Sequence, residues 1–276
     1  MQLLDGHTLS KKILQSIKRR VTVSRKKIGL AVVLVGKHPS SVAYVRQKKL
    51  AAQYVGFEFH EIRLPTATSE KKILIEIEKL NRNPKIHGFI IQLPLPVKIN
   101  SQKILTAIDP AKDVDGFHPL NFGRGFLKLP TLLPATPAGI LQLLEQYKIA
   151  LRGKEVVIIG HSNIVGKPLA ILLMNRDATV TVCHEFTRNL AAHTRTADII
   201  ISATGVPKLI RAPMLKRGCV VIDAGCAKIG EKLVGDVDFV HVKKVASFIT
   251  PVPGGVGPMT VASLITNTFM AATQKL

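Results

Sequence analysis

Residues 155–175 read EVVIIGHSNIVGKPLAILLMN, and their reading decides the fold. A β-branched apolar run, 156–159, meets a turn at Gly160-His161-Ser162-Asn163, and an apolar pattern of helical period then runs from Ile164 to Met174. Strand, glycine turn and helix make the first half of a nucleotide-binding βαβ unit. Gly160 lets the backbone turn sharply, and the free N–H groups at the helix start suit a pyrophosphate. The spacing from Gly160 to Gly166 is not GxGxxG, so an ordinary strand–turn–helix fits these letters equally well.

The α/β rhythm continues outward. Downstream, strands are expected at 179–183, 199–203, 220–223 and 247–249. The segment 251–258, PVPGGVGP, reads as a rigid loop before a last apolar helix from 259 to about 274. Upstream, Thr8 or Ser10 can start a first helix. Strands are expected at 28–35, 57–64 and 86–93, and helices at about 41–55, 70–81 and 101–108. Residues 109–133 lack periodicity, and so long a structureless stretch is usually functional. Thr136-Pro137 opens a helix to about Tyr147 that connects two halves. Alternating strands and helices predict an α/β protein of two doubly wound domains, the second Rossmann-like and nucleotide-binding, with a cleft between them.

The 276 residues permit two medium domains, and 46% hydrophobic residues permit a sizeable core. No apolar run reaches the roughly 18 residues of a membrane span, and the N-terminus lacks the apolar core of a secretory signal. Cys183, Cys219 and Cys226 show no CxxC spacing, so a reducing cytoplasm is expected and a disulfide framework or zinc site is not. The net charge of +21 suggests nucleic acid at first sight. Its basic residues are dispersed, however, with no aromatic-interleaved ribbon, and attraction for acidic small molecules is the simpler reading.

Tyr44 and Lys48 lie four apart on one predicted helix and share a face. Together they can polarise a reacting atom and move a proton, provided burial lowers the lysine pKa. A dehydrogenase class with Tyr-x-x-x-Lys places that pair after its nucleotide fold; here it precedes it. Gln92 ends a strand, where open sheets bind ligands, and its amide can orient Lys48. Asp113 and Asp115 are candidates for a metal, for the ring N–H donors of a heterocycle, or for bracing a turn. No His/Glu cluster supports a metal. Glu185, about 20 residues past the glycine turn, sits where an acid usually binds a ribose 2′-OH. Cys226 lies at a strand end facing the nicotinamide position, with a small apolar role favoured over a reactive thiol.

Together the stretches VGKHPSSVAYVRQKK, IIQLPLP, AKDVDGFHP, PATPAGI, GHSNIVGKPLA and TPVPGGVGPMT resemble the bifunctional 5,10-methylenetetrahydrofolate dehydrogenase/cyclohydrolase family, in the family's order and across nearly the whole chain. The resemblance implies a folate-binding catalytic domain at 1–135 with a returning helix at 258–276, a nucleotide domain at 136–257, and a cytoplasmic homodimer serving one-carbon metabolism and purine biosynthesis. It implies oxidation of 5,10-methylenetetrahydrofolate and hydrolysis of the methenyl product to 10-formyltetrahydrofolate, with polyglutamylated folates as the acidic partners. Catalytic roles fall to Lys48, Tyr44, Gln92 and Asp115. Folate contacts fall to Tyr44, Asp115, Pro251, Gly254, Gly255 and Pro258, cofactor contacts to Gly160, His161, Ser162, Gly166, Glu185 and Cys226, and no metal is expected. NADP is the family default. NAD is the alternative, because His161 stands where Arg is usual and Glu185 where Ser or a basic residue is common. The rival expectations are a monofunctional dehydrogenase of the same family, a shikimate-type dehydrogenase, and a basic nucleic-acid-binding protein.

Overall fold

The structure, a computed structural model, describes residues 1–230 and 232–273. In chain order its elements are β1 (Gln2–Leu3), α1 (Gly6–Ser24), β2 (Gly29–Val35), α2 (Pro39–Val55), β3 (Glu58–Leu64), α3 (Glu70–Arg82), β4 (Ile86–Ile91), α4 (Ser101–Thr106), α5 (Pro119–Phe126) and α6 (Ala135–Gln146). There follow β5 (Glu155–Ile159), α7 (Gly166–Met174), β6 (Thr179–Cys183), α8 (Leu190–Thr194), β7 (Ile199–Ser202), β8 (Val220–Asp223), β9 (Ala227–Ile229), β10 (Lys232–Val234), α9 (Phe239–Val242), β11 (Phe248–Ile249) and α10 (Val256–Thr273). The chain divides into two compact units, one of Met1–Ser10 with Thr136–Thr260, the other of Lys11–Ala135 with the chain from Val261 on.

In the unit built on 11–135, three parallel strands lie in the order β3-β2-β4. β2 is buried at every residue, so its letters GLAVVLV show no alternation. Leu30, Val32 and Leu34 face a core closed by α1, α2 and α10, while Ala31, Val33 and Val35 face one closed by α3 and α4. A strand covered on both sides is expected to read this way. Residues 112–116 run alongside β4, with Phe89 N–H donating to Lys112 O and a parallel bridge from Phe89 to Asp113. Gly88 makes this approach possible, since a Cβ there would fall 2.2 Å from Val114 Cγ1. Asn267 of α10 pins the same loop by donating to Val114 O and Leu133 O.

The other unit holds a six-stranded parallel sheet, β1-β11-β8-β7-β5-β6. The chain enters at β5, steps out to β6, then returns to β7, so the order reverses between β5 and β7. Ligands of such sheets bind at that switch, beyond the strand C-termini. β1, absent from the sequence reading, pairs with β11 and brings the first residues into this unit.

Four expectations change. The stretch 109–133 is not structureless: His118 caps α5 by accepting from Leu120 N–H, with Pro119 at the first turn, and two glycines inside α5 hide its period. The first helix begins at Gly6, because Asp5 is its cap and accepts from Thr8 N–H and Thr8 Oγ1. The last helix begins at Val256, so Pro258 stands in its first turn, where a missing N–H costs little. Its expected end at Gln274 lies outside the described residues. Finally, β9 and β10 form an antiparallel hairpin too short to leave a periodic signal.

Candidate active site

Lys48 lies three turns into α2, directly after the buried strand β2. Its side chain is only 6% exposed, and Nζ donates to Gln92 Oε1 at 3.1 Å. Gln92 is the residue after β4. Its backbone N–H donates to Val33 O, and its Nε2 donates to Leu93 O at 2.8 Å. With Nε2 turned to Leu93 O, the side-chain amide presents its carbonyl oxygen to the lysine. Burial pushes the Lys48 pKa below the ordinary lysine value, and the carboxylate of Asp115 opposes that shift. Burial likewise raises the Asp115 carboxyl, opposed by Lys48. The two charges sense each other without a direct salt bridge, so neither state of the lysine is locked. Tyr44 sits one turn before Lys48 on the same face and is half-buried.

The two aspartates of the 112–116 loop have different partners. Asp113 is 1% exposed and accepts from Gly116 N–H, His118 N–H and Asn121 Nδ2. Asn121 Oδ1 in turn accepts from Thr131 Oγ1. Asp113 is thus the brace of its own loop, its carboxyl pushed up to about 6 by burial. Asp115 is left to act on Lys48. The motif alone could not divide these duties; Asn121 and Thr131, which complete the brace, carry no recognisable spacing.

At the sheet switch, Gly160 ends β5 with φ +109°, and a Cβ would lie 2.6 Å from Ala203 O. Gly166, the first residue of α7, packs so closely that its Cβ would lie 1.9 Å from Gly160 O. Both glycines are required by backbone approach, which brings the α7 N-terminus against the end of β5. Between them His161 and Ser162 are exposed, and Ser162 Oγ accepts from Val165 N–H. Glu185, just past β6, is exposed and stands 3.8 Å from His161 Nδ1, while the rings of His161 and His184 lie 4.8 Å apart. An exposed turn, a helix N-terminus and adjustable polar side chains fit a dinucleotide phosphate.

Cys226 is exposed rather than packed, and it follows a buried acidic network that carries no sequence signature. Asp223 accepts from Gly225, Asp236 and Val237 N–H, and Asp236 accepts from Ser202 Oγ, Thr204 N–H and Thr204 Oγ1. These bonds hold the loops after β7 and β8. Pro251, Gly254 and Gly255 form the link from β11 to α10. Gly254 has φ +110°, its carbonyl accepts from His7 N–H, and a Cβ on Gly255 would lie 2.6 Å from Pro251 O. Among the described residues no three His, Cys, Asp or Glu side chains are grouped to hold a metal, and no helix is long and apolar enough to cross a membrane.

Residues 4–115 match the tetrahydrofolate dehydrogenase/cyclohydrolase catalytic domain, and residues 134–276 match the NAD(P)-binding domain of the same family. The bifunctional protein FolD of a Nitratiruptor species is 52% identical, over 100% of this chain and 99% of its own. The crystal structure of the bifunctional enzyme FolD from Campylobacter jejuni, 46% identical, superposes with a TM-score of 0.97 over 100% of both chains. The methylenetetrahydrofolate dehydrogenase-cyclohydrolase of Trypanosoma brucei, solved with NADP cofactor and inhibitor, is 36% identical, with a TM-score of 0.95 over 98% of this chain and 97% of its own. A buried lysine held by a glutamine in one unit, a glycine turn at a sheet switch in the other, and matches that span both units lead to one assignment: the chain belongs to the tetrahydrofolate dehydrogenase/cyclohydrolase family.

Proposed function

We propose that this protein performs both reactions of its family: oxidation of 5,10-methylenetetrahydrofolate to the 5,10-methenyl form, then hydrolysis of that product to 10-formyltetrahydrofolate. The cofactor is NADP, which supplies the hydride acceptor for the first reaction. The observation that carries the reading is Lys48, buried, lowered in pKa and held by a neutral amide.

The first reaction removes a hydride from the methylene carbon and leaves a cation. This chain's contribution is positioning, since hydride transfer needs near-contact geometry. Asp115 accepts from the ring N–H donors of the pterin, and Tyr44 lines the folate. Pro251, Gly254, Gly255 and Pro258 are further folate contacts, supported by the family motif they occupy. Gly160, Gly166 and Ser162 would receive the dinucleotide, with His161 and Glu185 the residues that would meet its 2′ end and Cys226 the one that would lie toward the nicotinamide. In the second reaction water adds to the methenyl carbon, and neutral Lys48 takes the proton that water gives up. The bond from that carbon to pterin N5 then breaks: the hydroxyl proton leaves to solvent, N5 takes back the proton held by Lys48, and the formyl group stays on N10. A cationic substrate beside Lys48 keeps the amine neutral, and Gln92 aims its nitrogen.

The protein acts as a homodimer in the cytoplasm and provides formyl groups for purine synthesis. Its charge of +21 draws polyglutamylated folates, whose tails are anionic; an affinity that does not weaken with added salt removes that link. The deciding assay follows methenyl absorbance with methylenetetrahydrofolate and each nicotinamide cofactor. Formation followed by decay supports both activities, and formation without decay leaves a dehydrogenase alone.

A further inference from the structure

The unit that carries the nucleotide turn holds a cavity of about 300 Å³ at the other end of its sheet. Lys154 precedes β5, Asp198 precedes β7 and Ile199 begins it, Val220 begins β8 and Phe248 begins β11, and all line it. The nucleotide turn lies at the opposite ends of these strands. A five-residue strand separates the two places by about 17 Å.

Four cationic side chains meet here: Lys148, Lys154, Lys216 and Arg217. The single acid among the lining residues, Asp198, is already engaged. It accepts from Lys216 Nζ at 2.7 Å and from Glu155 N–H at 3.1 Å. Lys148, Lys154 and Arg217 form no ion pair among the described residues. Gly218 N–H donates to Val245 O, which ties the turn after Lys243 and Lys244 to the same edge. Like charges gathered in a concavity repel one another and raise the local concentration of anions. The rest of the lining includes Ile149 and Phe248, half-buried and apolar, so the cavity suits a carbon framework as well as charge.

We propose that this cavity binds a small organic polyanion. Its phosphate or carboxylate groups are held by Lys148, Lys154 and Arg217, and its framework rests on Ile149 and Phe248. Because the site lies at the strand starts, it fills independently of the nucleotide turn.

The test is calorimetric titration of the full chain at physiological salt, with NADP held just above one equivalent. Inorganic pyrophosphate probes the phosphate source and citrate the carboxylate source. At least one of them binds saturably, once per chain, with a submillimolar Kd. That affinity falls at least tenfold in Lys148→Ala/Arg217→Ala and in Lys154→Ala. It is unchanged in Lys71→Ala/Lys72→Ala on α3, which removes two charges elsewhere, and NADP kinetics are unchanged in all variants. The proposal is overturned if neither probe saturates, if both double variants weaken binding equally, or if the probe displaces NADP.

Discussion

Nζ of Lys48 lies 3.1 Å from Gln92 Oε1, so a buried lysine is held by a neutral carbonyl and not by a carboxylate. A carboxylate at that place would fix the positive charge; an amide orients the nitrogen and lets the charge go. Replacing Lys48 by Met keeps the volume and removes the proposed proton acceptor. The expected outcome is loss of methenyl hydrolysis by at least about 100-fold, the usual worth of a positioned base, with NADP binding intact. Lys48→Arg fails equally, because a guanidinium stays charged. Stability moves the other way. Since the folded pKa is depressed, the unfolded chain binds more protons between that value and the ordinary lysine pKa, and wild-type stability gains as pH rises through that window. In Lys48→Met this gain disappears while Tm at pH 7 does not fall. Hydrolysis retained in Lys48→Met ends the assignment of Lys48 as the base.

Gln92→Glu turns the neutral holder into an anion at the same position. The Lys48 pKa then rises, and the acidic limb of the hydrolysis profile moves to higher pH. Asp115→Asn does the reverse, removing the one charge that opposes the downward shift. A pair of pH–rate profiles displaced in opposite directions is the expected result. Two variants that merely lose rate, with limbs unmoved, indicate a structural role only.

Asp113 and Asp115 separate stability from binding. Asp113→Ala leaves Gly116 N–H, His118 N–H and Asn121 Nδ2 without their acceptor. At about 1 kcal/mol per lost bond the cost is roughly 3 kcal/mol, a fall in Tm on the order of 6–12 °C. Asp115→Ala costs much less in Tm and raises KM for folate. The pH dependence of Asp113 has the opposite sign to an ion-paired carboxylate. Its folded pKa of about 6 lies above the unfolded value, so the folded state binds the extra proton. Its contribution is complete below about pH 4 and declines as pH rises to about 6. Differential scanning calorimetry of wild type and Asp113→Ala across that range reads the sign directly.

Much of this is legible from letters. Gly160 and Gly166 mark the strand–turn–helix because only glycine lets those backbones approach. The tetrad of Tyr44, Lys48, Gln92 and Asp115 is visible because it lies within family motifs, while helical spacing joins only the first two. What the letters hide has physical causes. Asp113 and Asp115 are the same residue type two positions apart, and only the folded loop, which aims three donors at Asp113, distinguishes them. Asp223 and Asp236 are joined by backbone N–H groups, which carry no side-chain signature. β1 is two residues long, below any period, and α5 is masked by glycines that its cap and proline outweigh.

On the placement of the cofactor proposed above, the choice between NADP and NAD turns on Glu185 and His161, exposed and 3.8 Å apart. A carboxylate at the 2′ end of the cofactor repels a 2′-phosphate and accepts from a 2′-OH, so Glu185 works against NADP while the family fold favours it. Glu185→Ser removes the repulsion. Both residues are at the surface, so the effect is screened by solvent and salt. The kcat/KM ratio for NADP over NAD is expected to rise by about tenfold, a difference of about 1.4 kcal/mol. His161→Arg adds a fork of donors suited to phosphate and raises the ratio further. The gain arises in the NADP arm, with NAD kinetics falling slightly as the 2′-OH loses its acceptor. If Glu185→Ser leaves the ratio unchanged, the glutamate points away from the cofactor in solution, and the preference resides in Ser162 and the α7 N-terminus instead.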